Sequence, residues 1–326
     1  MNVDLHDRLE AVGAAAWDGL LARSAQRSPF LSWIWQHRWA RTFADDRRLE
    51  IRTVVDDAGR LVGILPLYEA EPGIWRILGG VDISDYLDLI VEAGREEEVW
   101  MALLVPRAAT EATWDLHAVP AASSTVTTLP RLVADQGGEV AVAVEERCPI
   151  LSLPASWETY LAGLSGKHRH ELTRKLRRMQ REAPGVRATS VGERDAVQER
   201  LGDFLRLHRS SRVGKAKFMD ERMEIFFREI GGEFAAQQRL RLWFLDAESG
   251  PMASFITLEW DGTVGLYNSG FEPSRAALSP GLVLLTHLIR DAIARGKTRF
   301  DFLRGEERYK YEFGPTPEDV YQVRLA

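Results

Sequence analysis

Apolar and polar positions fall in blocks along this chain, and their spacing predicts strands alternating with helices. The clearest run lies between Gly262 and Gly314. Thr263–Phe271 (TVGLYNSGF) reads as a strand and is followed by a turn over residues 272–281 (EPSRAALSPG). Apolar residues then recur at Leu282, Leu285, Leu288, Ile289, Ala292 and Ile293, the spacing of a helix with one buried face. Ser279 stands at the N-cap position and Pro280 suits the first helical residue. Gly296 ends the helix, and residues 298–303 (TRFDFL) return as a buried strand. A helix that begins straight after a strand turn offers unpaired N–H groups and the positive end of its dipole. The turn is therefore a candidate pocket for a phosphorylated cofactor.

A similar order occurs earlier in the chain. Leu49–Val55 and residues 61–68 predict a hairpin, residues 74–78 and 86–91 two more strands, Glu96–Arg107 a helix, and residues 113–119 a strand. In the second half, residues 239–246 and 252–260 make the matching hairpin, ahead of the strand, helix and strand just described. This ββ–β–α–β order belongs to a mixed sheet in which the crossover helix makes the last pair parallel. We expect an α/β (α+β) chain of two tandem domains, residues 1–150 and 151–326, each a mixed, mostly antiparallel sheet flanked by helices. Cys148-Pro149-Ile150 and Leu153-Pro154 punctuate the border. Helices are predicted over residues 157–164, 195–209 and 221–230, and a basic one over 165–183. Residues 167–181 hold seven Lys/Arg and one acid, a net +6. That helix suits either a phosphate-bearing partner or ion pairing with neighbouring acids.

Composition narrows the class. A net charge of −6 gives no global reason to expect nucleic-acid binding. The single cysteine, Cys148, excludes an internal disulfide framework and points to a reducing, cytoplasmic compartment. Residues 1–20 lack the apolar run of a signal peptide, and no segment approaches the roughly twenty apolar residues that span a bilayer. His168 and His170 have no metal-ligand spacing with a Cys or acid pair, so no metal site is expected. Phosphate loops of Walker type, dinucleotide glycine fingerprints and nucleophile-elbow serines are absent.

Four motifs carry a resemblance: Tyr267-Asn268-Ser269-Gly270-Phe271, Ser279-Pro280-Gly281, Asp301-Phe302-Leu303-Arg304-Gly305, and Tyr309-Lys310-Tyr311-Glu312-Phe313-Gly314. With them the chain resembles the GNAT acyltransferase superfamily, in particular its CelD-type acetyltransferases, and more distantly the FemABX aminoacyl transferases. The resemblance implies that the loop leading into the helix binds the coenzyme A pyrophosphate through backbone N–H groups. Arg275, Ser279, Gly281 and Leu282 stand at that loop. It departs from the family's usual signal, an Arg or Gln, two residues and then two closely spaced glycines, in having Gly281 as its single glycine. It also implies that residues 267–270, Asn268 and Ser269 among them, run beside the acyl donor. Lys310, Phe313 and Gly314 fall in register with the Lys-x-x-Phe-Gly signature of FemABX proteins, and Asp85-Tyr86 matches a CelD-type pair.

The candidate catalytic residues are Asp301, Lys310 and Tyr267. Asp301, between Phe300 and Phe302, is costly to bury without a partner. It is either a general base or substrate anchor, or a strand-end acid paired with Arg304 or Lys310. The FemABX resemblance implies that Lys310 neutralises developing oxyanion charge or holds an acidic substrate group; read from the residues alone it is a loop lysine beside Glu306, Glu307 and Glu312. Asp85, Tyr86 and Asp88, with Tyr309, are candidates for binding an amine acceptor; turn acids capping local N–H groups read the first cluster equally simply. The expected activity is N-acyl transfer from acyl-CoA, acetyl-CoA first, to a small-molecule or glycan amine by direct attack, in polysaccharide or envelope metabolism. The first domain would be a degenerate copy without a donor site, because Glu96, Glu97 and Glu98 occupy the first turn of its helix. Two alternatives stand: a FemABX-like enzyme taking its donor from aminoacyl-tRNA, and a ligand-binding protein that keeps the fold without catalysis.

Overall fold

The computed structural model of the chain describes residues 1–107 and 112–326. Its compact units are residues 1–147 together with 318–326, and residues 148–317.

In the first unit the chain runs β1 (Asn2–His6), α1 (Ala14–Leu21), α2 (Trp33–Phe43), β2 (Leu49–Val55), β3 (Leu61–Glu71), β4 (Ile74–Ile77) and β5 (Ile90–Val91). It continues through α3 (Glu96–Arg107), β6 (Thr113–Pro120), α4 (Ser124–Thr127), α5 (Leu129–Asp135) and the start of β7 (Val140–Ser152). Strands β1 to β4 pair antiparallel in sequence order, and β4 pairs parallel with β6, as a crossover containing α3 requires. Residues 86–91, expected as a strand, are extended only at Ile90–Val91, which pairs with β3. Earlier in that stretch Leu87 donates to the Ala118 carbonyl and the Asp88 carboxylate takes the Leu89 amide, which withdraws both amides from a ladder. The C-terminal strand Thr316–Leu325, which sequence alone grouped with the second domain, pairs antiparallel with β6 and is counted with this unit.

The second unit takes up β7 and continues with α6 (Trp157–Gly163), α7 (Gly166–Glu182), β8 (Arg187–Val191), α8 (Arg194–Ser211), α9 (Val213–Phe218) and α10 (Glu221–Ala236). There follow β9 (Leu240–Ala247), β10 (Gly250–Trp260), β11 (Thr263–Phe271), α11 (Pro280–Ala294), β12 (Arg299–Asp301) and, as β13, the C-terminal strand. Its sheet has the order β7-β12-β11-β10-β9-β8, antiparallel except for the β11–β12 pair. Period-two alternation sends Trp243, Leu245, Ala253, Phe255, Val264 and Leu266 into one core with α7 and α11. The buried residues of α8 and α10, among them Phe204 and Phe226, lie outside that core and cover the opposite face. Each such side chain contributes about 1.5–3 kcal/mol by leaving water. No helix among the described residues is long and apolar enough to cross a membrane.

Candidate functional site

The sheet of the second unit opens beside β11. Strand β12 pairs with β11 only from Thr263–Arg299 to Gly265–Asp301. Beyond that point the chain turns away at Leu303, whose φ is 56°. Asp301 makes this turn: it is 1% exposed and its Oδ1 accepts from the Leu303 amide at 2.8 Å. Residues 266–271 therefore have β10 on one side and no strand on the other among the described residues. Tyr267 is the extra residue of a bulge, since Asn268 faces Ile256 while Leu266 faces Thr257. Further along, the Glu272 amide donates to the Met252 carbonyl at 2.8 Å. Alternation of antiparallel bonding then turns the N–H and C=O of Ser269 away from β10, toward the open edge.

The start of α11 adjoins this edge. Ser279 adopts φ 52° and ψ 50° and makes no side-chain cap, so the expected N-cap bond is not formed. Pro280 has no N–H, and the Gly281 and Leu282 amides have no acceptor among the described residues; the ladder begins with Val283 donating to Ser279 at 3.1 Å. Two uncapped donors and the positive end of a 15-residue helix thus face one spot. A cavity of about 250 Å³ lies there. Ser279, Pro280, Gly281 and Leu282 form one wall, Ser269, Gly270 and Phe271 with Phe255 another, and Glu307 with Tyr309 a third. Ser211, Arg212 and Lys215 complete it.

Sequence reasoning singled out Ser269, Ser279, Gly281, Leu282 and Tyr309, and the fold gathers them around this cavity. Asn268, Arg275, Tyr267, Asp301 and Lys310 do not line it. Tyr267 stacks on Phe227 at 5.6 Å. Arg275 is exposed on the turn before α11. Lys310 is 3% exposed and donates to the carbonyls of Leu303, Arg304 and Gly305 at 3.3, 2.8 and 2.9 Å. Its ammonium also pairs with Glu307 at 2.8 Å, so it organises the loop behind the cavity. Burial alone would raise the Glu307 carboxyl, but the Lys310 ammonium holds it below the usual range. The Tyr309 hydroxyl has no partner among the described residues, and burial, then the Glu307 charge, raise its pKa.

The residues missed were those of α8 and α9. His208 is 1% exposed, and its Nε2 bonds the Asn268 Oδ1 at 2.8 Å. Burial and the nearby Lys215 charge lower its pKa to about 4, so it is neutral and donates from Nε2. Such close packing requires Gly270, because a Cβ there would stand 2.4 Å from the His208 amide nitrogen. Lys215 bonds the Ser269 carbonyl and, at 2.9 Å, its Oγ. Burial, then Arg212, lower its pKa to about 8. The cationic hexapeptide from Arg212 to Lys217, between two predicted helices, was the available signal.

Asp85, Tyr86 and Asp88 belong to the first unit. Asp88 is 2% exposed and accepts from Thr125 Oγ1 and the Leu89 amide. Burial pushes it up to about 6. Asp85 and Tyr86 are half-buried, the Tyr86 ring 6.3 Å from Phe30. The basic segment is α7 of the second unit, where Leu172 and Met179 are buried and Lys175 pairs with Glu312 at 2.8 Å. Lys167, Arg169 and Arg177 are exposed and unpaired among the described residues.

Residues 166–311 match the family model for the acetyltransferase (GNAT) domain. No curated protein matches the chain. Among solved structures, FemX aligns with 10% identity over 100% of this chain and 97% of its own, at a TM-score of 0.66. A conserved protein of unknown function from Bacteroides thetaiotaomicron aligns with 13% identity over 99% of both chains, at 0.64. The C-terminal domain (DUF2156) of a putative lysylphosphatidylglycerol synthetase from Agrobacterium fabrum aligns with 12% identity over 97% of this chain and 91% of its own, at 0.61. These likenesses establish a shared fold. Over residues 166–311 the chain is thus similar to the acetyltransferase (GNAT) domain, and it shares a fold with FemX.

Proposed function

We propose that the second unit is an N-acyltransferase that takes an acyl group, acetyl first, from a coenzyme A thioester and gives it to an amine by direct attack. One observation carries this reading: the uncapped Gly281 and Leu282 amides open onto the same cavity as the stretch of β11 that no strand pairs among the described residues. The amides and helix dipole suit a pyrophosphate, with exposed Arg275 as a nearby counter-charge, and an extended chain bearing amides would run along the edge of β11 by displacing Lys215 from the Ser269 carbonyl. Bound there, the thioester supplies an activated acyl carbon and a thiolate leaving group.

The remaining roles follow from the walls. Among the described residues Glu307 is the one carboxylate lining the cavity, and it stays ionised, so it is the acceptor for the proton an attacking amine must lose. Tyr309, kept protonated by its raised pKa, is the donor for the departing sulfur. Asp301 and Lys310 act as positioning residues for the loop that carries both, and Tyr267 and Asn268 for the edge of β11. For the acceptor, Asp85 and Tyr86 are our candidates to bind a cationic amine, Asp88 being committed to Thr125. A glycan or other envelope amine, met in the cytoplasm, is the class we favour from the CelD-type resemblance.

Gly281→Asp tests the reading. A Cβ at Gly281 meets only Phe255, at 3.9 Å, so the helix accepts the change while its new carboxylate opposes a pyrophosphate. Calorimetry should show acetyl-CoA binding to the native chain and none to the variant. Equal binding to both sinks the reading. The unpaired cations of α7 favour a second reading, an aminoacyl-tRNA donor. It predicts activity destroyed by ribonuclease and no affinity for acyl-CoA.

A further inference from the structure

Helix α9 carries an amine into the cavity. The Ser269 carbonyl faces the open edge of β11, and Lys215 Nζ bonds both that carbonyl and, at 2.9 Å, the Ser269 Oγ. Lys215 thus occupies the gap in the sheet, on the same cavity as Gly281 and Tyr309. An ammonium has three N–H donors, and among the described residues no carboxylate hydrogen-bonds this one; Glu307 pairs with Lys310. A domain built to acylate amines therefore holds one of its own in the slot.

We propose that Lys215 is an internal acyl acceptor, which the second unit acylates on Nζ from its thioester donor when no amine substrate is present. The inference rests on the acyl-CoA reading. The Nζ lone pair forms the bond to the thioester carbonyl carbon, the C–S bond breaks with its electrons on sulfur, and the proton lost by the amine ends on that sulfur. The products are an acyl-lysine and the free thiol of coenzyme A. The lowered pKa, about 8, keeps far more of this side chain in the reactive neutral form at neutral pH than an ordinary lysine manages. Acylation removes the charge and leaves a single N–H, so Ser269 loses one of its two bonds and the acyl group stays in the cavity. The modification is self-limiting: it switches the site off when donor accumulates without acceptor.

Lys217, exposed two residues further on, is the internal comparator. The full chain is incubated with acetyl-CoA and no amine, digested, and each lysine read by mass spectrometry. Acetylation of Lys215 should exceed that of Lys217 by roughly tenfold or more, and should level off just above pH 8. Unfolding in urea should abolish the preference. Lys215→Arg, which keeps the charge and the donors, should still bind acetyl-CoA by calorimetry and lose the label. If acetyl-CoA binds and Lys215 is labelled no faster than Lys217, the inference is overturned and the acyl-CoA reading stands. If acetyl-CoA neither binds nor labels, that reading falls and the inference with it.

Discussion

The two crossover helices, α3 and α11, occupy the same place in the order of their units and begin in opposite ways. The first turn of α3 holds Glu96, Glu97 and Glu98. Glu96 Oε1 accepts from the Gly94 amide at 3.0 Å, Glu98 pairs with Arg95, and Glu97 with Arg131. That terminus supplies its own negative charge. The first turn of α11 has no acid, no side-chain cap and a proline that removes one donor. Equivalent helices are thus finished differently: one terminus carries its own acids, the other has neither acid nor side-chain cap. A bare terminus forgoes about 1 kcal/mol of capping. Such a cost is expected at a binding site and is unexplained in a purely structural helix.

The contrast can be broken most severely at Gly281. An aspartate there brings a carboxylate within about 4 Å of the anion, a repulsion on the order of 4 kcal/mol, so the Kd for acetyl-CoA should rise near 10³-fold. Tyr309→Phe comes next. Loss of its proton should lower kcat about 10²-fold with little change in KM, measured by thiol release. An unchanged kcat would remove Tyr309 from the mechanism.

The buried titrating groups sharpen the comparison through pH. His208 has a depressed folded pKa, so the stability it lends the second unit is complete above about 6.5 and is lost as pH falls through about 4. Asp88 has a raised one, so its contribution to the first unit is complete below about 3.8 and is lost as pH rises through about 6. Each is on the order of 3 kcal/mol. Hydrogen-exchange protection factors between pH 4 and 6.5 should therefore rise in the second unit and fall in the first. His208→Gln and Asp88→Asn should each flatten one slope. A smaller effect belongs to Gly270→Ala, where the new methyl meets the backbone of α8 and should cost about 2 kcal/mol in a denaturant melt. Smallest of all, neutralising Glu96, Glu97 and Glu98 together to glutamine should leave acetyl-CoA affinity where it was.

Much of this frame is legible in the sequence. The hairpins, β11, α11 and α3 announce themselves because their periods and turns are local. The return of β13 to β6 is not, since its residues, TPEDVYQVRL, alternate weakly and the partner lies some two hundred positions away. For the site, Ser269, Ser279, Gly281, Leu282 and Tyr309 were found through continuous motifs. Lys215 and Arg212 were not, because α9 reaches the cavity only through the contact of α8 with β11 that Gly270 permits. Asp301 and Lys310 were noticed for good reason, as buried charges need partners. Their partners include the loop's own amide and carbonyls and, for Lys310, the Glu307 carboxylate.

The most direct test of one open helix terminus and one closed one is hydrogen–deuterium exchange of the whole chain with and without acetyl-CoA. Protection confined to residues 266–283, with none over residues 90–99, is the predicted result. Protection at the start of α3, or at neither helix, would contradict it.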